Sequence, residues 1–320
     1  MRLPLPAALK KRLRPTPQWL AISALPSELS VDVSLVTAHG EHDISGNHAV
    51  AALRPLTVRI GLDPGFRIAP GEEASLRFFD RLLARPVGLL RLRYLTGWDG
   101  VDAPLGLFEV IGGRHFCAPW TRRTWDTFMY ERAVRNVKRE TLLMSPAAVE
   151  QLMVYNLLPR PVFFVGVDDG RHSNLFPMDL VGPQLPDRFT LALRNTSASV
   201  ETMKATRRIV LGDIPGSACQ IAYALGAHHK KPTIDTGGLS FKLLRSKLFG
   251  LPVPEIALRV REIEILEVRT IGSHTLFFSR ICSEETLAEG PGLFHTSVIY
   301  QRLRAAHGHA FHEAYVPSVK

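Results

Sequence analysis

The chain has 320 residues and a mass of 35.6 kDa, which allows two domains or one large one. Hydrophobic residues make up 46% and charged residues 22% of it, with a mean hydropathy of +0.04, and these values exclude a wholly disordered chain. No run approaches the roughly 20 uncharged apolar residues of a membrane-spanning helix. Prolines and charges interrupt the first residues, MRLPLPAALKKRLRPTP, so we predict no export signal.

The cysteines indicate the redox environment of the chain, and the net charge indicates which kinds of ligand it could bind. Cys117, Cys219 and Cys282 lie far apart without a CxxC pair, which favours a reducing, cytoplasmic environment over a disulfide framework. The net charge of +9 is partly concentrated in the basic N-terminal segment and suits an anionic partner, a phosphorylated cofactor included. The basic residues are diffuse and lack the interleaved aromatics of an RNA-binding sheet, so we predict neither a nucleic-acid nor a membrane partner.

The first half of the chain reads as strands with helices between them. Alternating apolar residues predict strands over 31–37 and 56–62. Leu76, Phe79, Leu82 and Leu83 have helical spacing, which predicts a helix that ends before Pro86. Further strands are expected over 87–95 and 107–111, and a helix over 124–139. Residues 1–144 therefore form a predicted N-terminal α+β (α/β-type) domain of unknown role.

A second domain is expected from residue 145 to residue 320. Ser145 and Pro146 have the N-cap and first-turn chemistry of a helix over 147–153. Beyond it, closely spaced strands alternate with short turns and small helices, and a long hairpin turns at Ile271 and Gly272. This pattern predicts a mainly β fold, an antiparallel barrel rather than a doubly wound sheet.

The two halves contain a weak internal sequence similarity, called the sequence echo below. GEHDISGN followed by PLTVRIGLD in the first half resembles DDGRHSN followed by RFTLALRN in the second. Each pair is a polar turn followed by an alternating strand. One interpretation is a diverged duplication, in which the first domain is another copy of the barrel. The other is chance, because alternating strands resemble one another.

The segment after Leu193 has the chemistry of an anion site. A strand ends at Arg194, and a polar run leads into a helix over 200–206. A strand-to-helix bend of this kind presents free N–H groups, hydroxyls and the positive helix end together. The run consists of Asn195, Thr196, Ser197 and Ser199. The alternative is that Ser197 only caps the helix, with Glu201 completing a capping box.

An upstream strand, NLFPMD, is the second candidate. It carries one amide, Asn174, and one carboxylate, Asp179, among apolar residues. Its backbone N–H and C=O groups could bind the rim of a flat heteroaromatic ring. The alternative is an ordinary core strand with Phe176 and Met178 packed inside.

In this order the motifs resemble the flavin reductase-like, FMN-binding split-barrel family, over the chain from about Met144 onward. The family pattern is matched by Arg160-Pro161-Val162, Gly170 with Asn174, Phe176-Pro177, Leu193-Arg194, Ser197, Ser199, Glu201 and Gly272-Ser273-His274-Thr275-Leu276. Ser199 stands where threonine is more frequent, and Thr202 where asparagine is common. The first 144 residues fall outside the resemblance.

The resemblance implies an FMN-binding oxidoreductase that uses NADH or NADPH to reduce its flavin, within a homodimer that has flavin near the subunit interface. Because the flavin performs the redox step, no catalytic residue is assigned. The cofactor-binding residues that it implies are Asn174, Leu175, Phe176, Pro177, Met178, Arg194, Asn195, Thr196, Ser197, Ser199 and His274. The alternative is a non-catalytic split barrel that binds or assembles without flavin.

Two groups of histidines and one His-Lys segment are further candidates for binding a metal ion or an anion. The sets His39, His42, His48 and His307, His309, His312 lack the spacing of a zinc site, so no metal is predicted. His228-His229 before Lys230-Lys231 reads as a loop that could meet a nicotinamide phosphate.

Overall fold

The computed structural model describes residues 17–63, 65–100, 103–134, 145–185, 187–235 and 237–315, and in these ranges the protein is mainly β. The strands are β1 Leu20–Ala24, β2 Val31–Thr37, β3 Gly40–Asp43, β4 His48–Leu53, β5 Leu56–Gly61, β6 Glu73–Asp80, β7 Arg85–Gly100, β8 Ala103–His115, β9 Arg160–Pro161, β10 Phe163–Asp168, β11 Ser173–Met178, β12 Val181–Leu185, β13 Arg188–Arg194, β14 Arg208–Asp213, β15 Leu243–Arg245, β16 Pro252–Pro254, β17 Arg259–Ile271, β18 His274–Thr286, β19 Gly292–Thr296 and β20 His312–Tyr315.

The helices are short and lie between the sheets' strands or beside them. They are α1 Trp120–Val134, α2 Pro146–Tyr155, α3 Ser199–Thr206, α4 Cys219–Ala224 and α5 Val298–Ala306, with 3₁₀ turns at Pro26–Glu28, Gly216–Ala218 and Leu225–Lys230. Ser145 caps α2 as predicted, because its hydroxyl accepts from the Ala148 N–H at 3.1 Å. Among the described residues no helix is both long and apolar enough to cross a bilayer.

The first sheet has seven antiparallel strands in the order β3-β2-β6-β7-β8-β5-β4. Apolar side chains from β2, β6, β7, β8, β5 and β4 meet in one buried cluster, so the sheet curls around its own core. The helix predicted around Leu76 to Leu83 is wrong. Leu76 and Phe78 are buried in β6 on alternate positions, whereas Phe79 and Leu82 are exposed, so the apolar residues fit a strand that ends in a turn.

The second sheet repeats this topology. Its order is β11-β10-β14-β17-β18-β13-β12, and its seven strands also surround a single apolar cluster, which α3 closes with Val200 and Met203. Numbered within each half, the strands of both sheets stand in the order 2-1-5-6-7-4-3. The strands of the sequence echo, β5 and β13, hold the same place. We call the two units the first and the second curled sheet.

A smaller sheet joins the ends of the chain. Its order is β20-β1-β19-β9, so β1 from the predicted first domain pairs with β19 and β20 from the predicted second domain. The helix α5 packs beside it, where Tyr300 donates to the buried Asp80 Oδ2 at 2.6 Å. The two halves are therefore tied through a shared sheet as well as through the faces of the curled sheets.

The curled sheets also meet directly. A buried apolar cluster is shared by β4 and β8 of the first sheet and β13 and β18 of the second. The backbones of β4 and β12 approach closely at Gly182, where an added Cβ would lie 2.5 Å from the Ala49 Cβ and 2.7 Å from the His48 oxygen. Arg59, fully buried in β5, crosses the boundary and donates to the Pro183 oxygen at 2.7 Å and to Thr190 Oγ1 at 2.9 Å.

Candidate functional site

A cavity of about 350 Å³ lies where the first curled sheet meets the second. The end of β4 supplies Leu53, β11 supplies Pro177 and Met178, and the facing ends of β13 and β18 supply Arg194 and His274. Its other lining residues are Trp19, Leu152, Asn156, Arg160, Asp179, Leu180, Ala192, Leu193, His229 and Lys230. The volume falls at the lower end of the range for small-molecule sites.

The cavity wall is positively charged. Arg160, Arg194 and Lys230 are cations, and Asp179 is the carboxylate among the lining residues. Burial lowers the pKa of His274 to about 4, with Arg194 adding to the shift, and burial also lowers the pKa of His229. Both imidazoles are thus neutral at pH 7, and the wall as a whole favours an anionic ligand.

The first curled sheet holds His274 in place. The Leu53 N–H donates to His274 Nδ1 at 3.4 Å, and the Ser273 hydroxyl lies 2.9 Å from the same nitrogen. The Arg54 oxygen accepts from the Ser273 N–H at 3.0 Å, and a Cβ on Gly272, whose φ is +51°, would lie 2.2 Å from that oxygen. Because Nδ1 accepts a backbone hydrogen bond, the ring proton belongs on Nε2.

The side chains of the bend after Leu193, which were predicted to bind phosphate, form hydrogen bonds within the protein instead. Ser197 and Ser199 are buried, as is Asn174. The Ser197 hydroxyl donates to the His229 oxygen at 2.6 Å, and the Asn174 amide nitrogen lies within 3.1 Å of Ser199 Oγ and of the oxygens of His228 and Lys231. These side chains hold the 3₁₀ segment against β11. The capping alternative is wrong, because the N-cap of α3 is Ala198 and has no side-chain hydrogen bond.

The remaining predicted residues divide between packing and the cavity. Leu175 and Phe176 are buried in two different apolar clusters. Asn195 donates to the Gly272 oxygen at 3.0 Å and accepts from Thr275 Oγ1 at 3.0 Å, which fixes the β17–β18 hairpin, and Thr196 is exposed. The structure brings four of the predicted cofactor residues together along the cavity, namely Pro177, Met178, Arg194 and His274. The assignment of all eleven to a cofactor stays a prediction.

One end of the cavity is organised around Asp179. This carboxylate accepts from Arg160 Nη2 at 2.9 Å and lies 2.8 Å from His295 Nδ1, while His295 Nε2 lies 2.6 Å from the Tyr223 hydroxyl. The charge of Arg160 and the hydrogen bond to His295 hold the pKa of Asp179 well below its usual range despite burial. Arg160 is consequently fixed as a charged group beside the cavity.

Two side chains at this end have buried polar atoms without a partner. Among the described residues, Nδ2 and Oδ1 of Asn156 make no hydrogen bond, and neither do Nε and Nη1 of Arg160. Asn156 is 0% exposed and Arg160 is 8% exposed. Each buried group of this kind costs about 1–3 kcal/mol unless a water or a ligand pairs with it.

Sequence reasoning missed most of the wall opposite β11. Leu53 belongs to the half outside the resemblance, and Asn156 follows a helix that was read only as a domain boundary. Arg160 was noted as part of a strand motif, and no pattern around it indicates a buried guanidinium. Lys230 and His229 were singled out for their charge, and they do lie at the cavity.

No metal centre is indicated in the described part of the chain, where no three His, Cys, Asp or Glu side chains come together to hold an ion. His48 illustrates why: it is buried in β4, and its Nδ1 lies 2.8 Å from the Ile44 oxygen.

Comparisons with known proteins give matches among solved structures. No family model matches the chain, and no curated protein matches it. An FMN-binding protein from Thermus thermophilus is 22% identical, over 48% of this chain and 80% of that one, with a TM-score of 0.38. The NADH:FAD oxidoreductase SgcE6 from Streptomyces globisporus C-1027 is 17% identical, over 56% of this chain and 99% of that one, with a TM-score of 0.42. Flavoredoxin from Methanosarcina acetivorans is 15% identical, over 47% and 75%, with a TM-score of 0.37. One of these neighbours is an FMN-binding protein, one an NADH:FAD oxidoreductase and one a flavoredoxin, and each match covers about half of this chain.

Proposed function

We propose that the chain binds FMN in the cavity between the curled sheets and acts as a flavin-dependent oxidoreductase with NADH or NADPH as the reductant. The observation that carries the proposal is the polarity of the cavity. Its lining combines apolar side chains, among them Leu53, Met178 and Leu193, with the cations Arg160, Arg194 and Lys230. A flat, largely apolar ring joined to a phosphate has the matching distribution of charge and surface.

The residues fit such a ligand, although not in the way that the bend predicts. Arg194 is exposed beside Lys230, so the two can meet a phosphate from the solvent side. His274 presents a neutral ring whose proton is on Nε2, a donor of fixed orientation. Ser197 and Ser199 are already paired, so they contribute by holding the segment that carries Lys230.

When bound, flavin supplies the chemistry of hydride and electron transfer. The chain's own contribution is then binding, orientation and charge. The cations of the lining favour both the FMN phosphate and the anionic diphosphate of a nicotinamide cofactor. Lys230, which lines the cavity, and Lys231, the next residue in the chain, are both exposed and available to a second phosphate.

We also propose one flavin site per chain. Strand register places Gly61 and Leu105 of the first curled sheet where the second has Arg194 and His274. A side chain at Gly61 would overlap Asn47, whose amide would lie 2.0 Å from the new Cβ. The first sheet therefore lacks the cation and the imidazole, but it supplies Leu53 to the wall. On this proposal the cavity is closed within one chain, and a homodimer is not needed to complete it.

The alternative is a binding or assembly protein without flavin chemistry. The hydrogen bonds of Ser197 to the His229 oxygen, and of Asn174 to Ser199 and to the His228 oxygen, favour it. They occupy two predicted phosphate ligands, Ser197 and Ser199, and one predicted ring-binding residue, Asn174. Under this alternative the purified protein is colourless and does not take up FMN.

Flavin titration decides between the two. FMN fluorescence is followed as full-length protein is added, with Arg194→Ala as the test variant and Arg171→Ala as the control. Arg171 is exposed on the β10–β11 turn, away from the cavity lining, and its loss changes the net charge equally. We expect the Kd of Arg194→Ala for FMN to be about tenfold higher, because a charge-assisted contact at an exposed site contributes about 1.5 kcal/mol to the binding free energy. Equal affinity in the two variants, or no binding by the parent protein, contradicts the proposal.

A further inference from the structure

We propose that Asn156 and Arg160 recognise the imide edge of a ring ligand, the C=O, N–H, C=O face that the flavin pyrimidine ring carries. This inference rests on the proposed function and specifies which end of the cavity receives the ring. The observation behind it is the set of four buried polar atoms without partners at the Asp179 end.

Neither side chain is explained by packing alone. The backbone of Asn156 already serves the fold, since its oxygen accepts from the Ser297 N–H at 2.8 Å and from Thr296 Oγ1 at 3.1 Å. Its amide makes no contribution to this arrangement, and a leucine, which has the same number of side-chain heavy atoms, would leave no polar atom unpaired. The amide is therefore better explained by something that enters the cavity.

Arg160 is held so that its free N–H groups have a fixed direction. Its Nη2 is bound to Asp179, and its guanidinium carbon lies 5.9 Å from the centre of the Tyr155 ring. The ion pair uses Nη2 and leaves the N–H groups of Nε and Nη1 for other acceptors. Since Asp179 balances its charge, the remaining donors suit a neutral carbonyl oxygen as well as an anion.

The free atoms match the imide in kind. The Asn156 amide offers one donor and one acceptor side by side, in either orientation of the group, and Arg160 adds further donors. An imide offers an acceptor, a donor and an acceptor. Pairing the two sets satisfies the ring N–H with Asn156 Oδ1, and the two ring carbonyls with Asn156 Nδ2 and Arg160.

The position of this end also suits the ring. Asn174, at one end of β11, contacts the segment that carries Lys230, whereas Asp179 follows the other end. Five residues of extended chain separate the two points by about 17 Å. An elongated ligand can thus place an anionic tail beside Lys230 and Arg194 and its imide at Arg160.

The test compares lumiflavin with N3-methyl-lumiflavin, which lacks the imide N–H, in binding to the full-length protein. The parent protein should bind lumiflavin at least about tenfold more tightly. The ratio should fall to about one in Asn156→Leu and in Asn156→Ala, and it should be retained in the control Arg171→Ala, which changes an exposed residue outside the cavity lining. Thermal unfolding of the ligand-free Asn156→Leu protein should occur at the parental temperature or above it, because the unpaired amide is removed.

The outcomes separate this inference from the proposed function. Equal affinity of the parent protein for both flavins overturns imide recognition while leaving flavin binding in place. A ratio that persists in both Asn156 variants overturns the assignment to Asn156. Lack of binding of both lumiflavins by a parent protein that binds FMN overturns the imide site alone, whereas lack of FMN binding overturns the proposed function, and the imide site with it. The comparison of the two flavins on the parent protein needs no variant, so it stands even if a variant does not fold.

Discussion

The close approach of the curled sheets at Gly182 can be tested by adding one methyl group. In Gly182→Ala the new Cβ would lie 2.5 Å from the Ala49 Cβ, 2.7 Å from the His48 oxygen and 3.3 Å from the Ala49 Cα. Carbon atoms in contact prefer about 3.5–4.0 Å, so β4 and β12 must separate by about 1 Å. Two of the three obstructing atoms belong to the backbone and cannot turn aside.

Overpacking of this kind costs about 1–3 kcal/mol in the free energy of unfolding. At about 2–4 °C per kcal/mol for a chain of this class, Tm should fall by roughly 2–12 °C, measured by calorimetry or circular dichroism. Flavin affinity should fall as well, because β4 carries Leu53, which both lines the cavity and donates to His274.

The matched control is Gly46→Ala, since no atom lies within 4 Å of the Cβ that it would add. Its Tm should stay within about 1–2 °C of the parental value, because an unobstructed surface substitution is usually worth about 0.5 kcal/mol or less. If Gly182→Ala is as stable as Gly46→Ala, the sheets do not press together at this point, and the reasoning about the interface is refuted.

Three further predictions concern pH, stoichiometry and a buried hydrogen bond. Burial lowers the pKa of His48 to about 4, so the unfolded state binds the proton more readily than the folded state. The contribution of His48 to the free energy of unfolding should therefore be complete above about pH 6.5 and fall by roughly 1 kcal/mol per pH unit toward pH 4. Unfolding curves of His48→Gln should show a shallower slope. Isothermal titration should give one FMN per chain, and a value of two would contradict the inequivalence of the curled sheets. Tyr300→Phe should lower the free energy of unfolding by about 1.5–3 kcal/mol in a denaturant titration, since it removes a hydrogen bond to the buried Asp80 carboxylate; an unchanged midpoint would contradict this.

The sequence predicted most strands and several helices, and the helix around Leu76 to Leu83 was wrong. Val31–Thr37 alternates cleanly and is a strand over those residues, because one face is buried and the other is not. Around Phe79 the same reasoning gave a helix, since Leu82 and Leu83 extended the apolar pattern by chance. Those residues lie in the turn after β6, where Ala84 has a positive φ of 48°, so tertiary context rather than periodicity decided the outcome.

The candidate site was predictable only along one wall. β11 and the end of β13 carry local motifs, and Pro177, Met178 and Arg194 do lie at the cavity. The opposite wall depends on which segments the fold brings together over long sequence distances, and alternation in β4 gives no sign that Leu53 faces the second half. Burial of a polar side chain without a partner, as at Asn156, is likewise a property of three-dimensional packing.

The repeated strand order has a consequence for how this protein can change. When two identical subunits form a cavity together, every substitution occurs in both subunits. A substitution that improves the contact with the partner is then also present where the ligand binds. Here Gly61 and Arg194 occupy corresponding places on separate stretches of one gene product. Each half can therefore acquire substitutions independently, because no symmetry repeats a change in the other half.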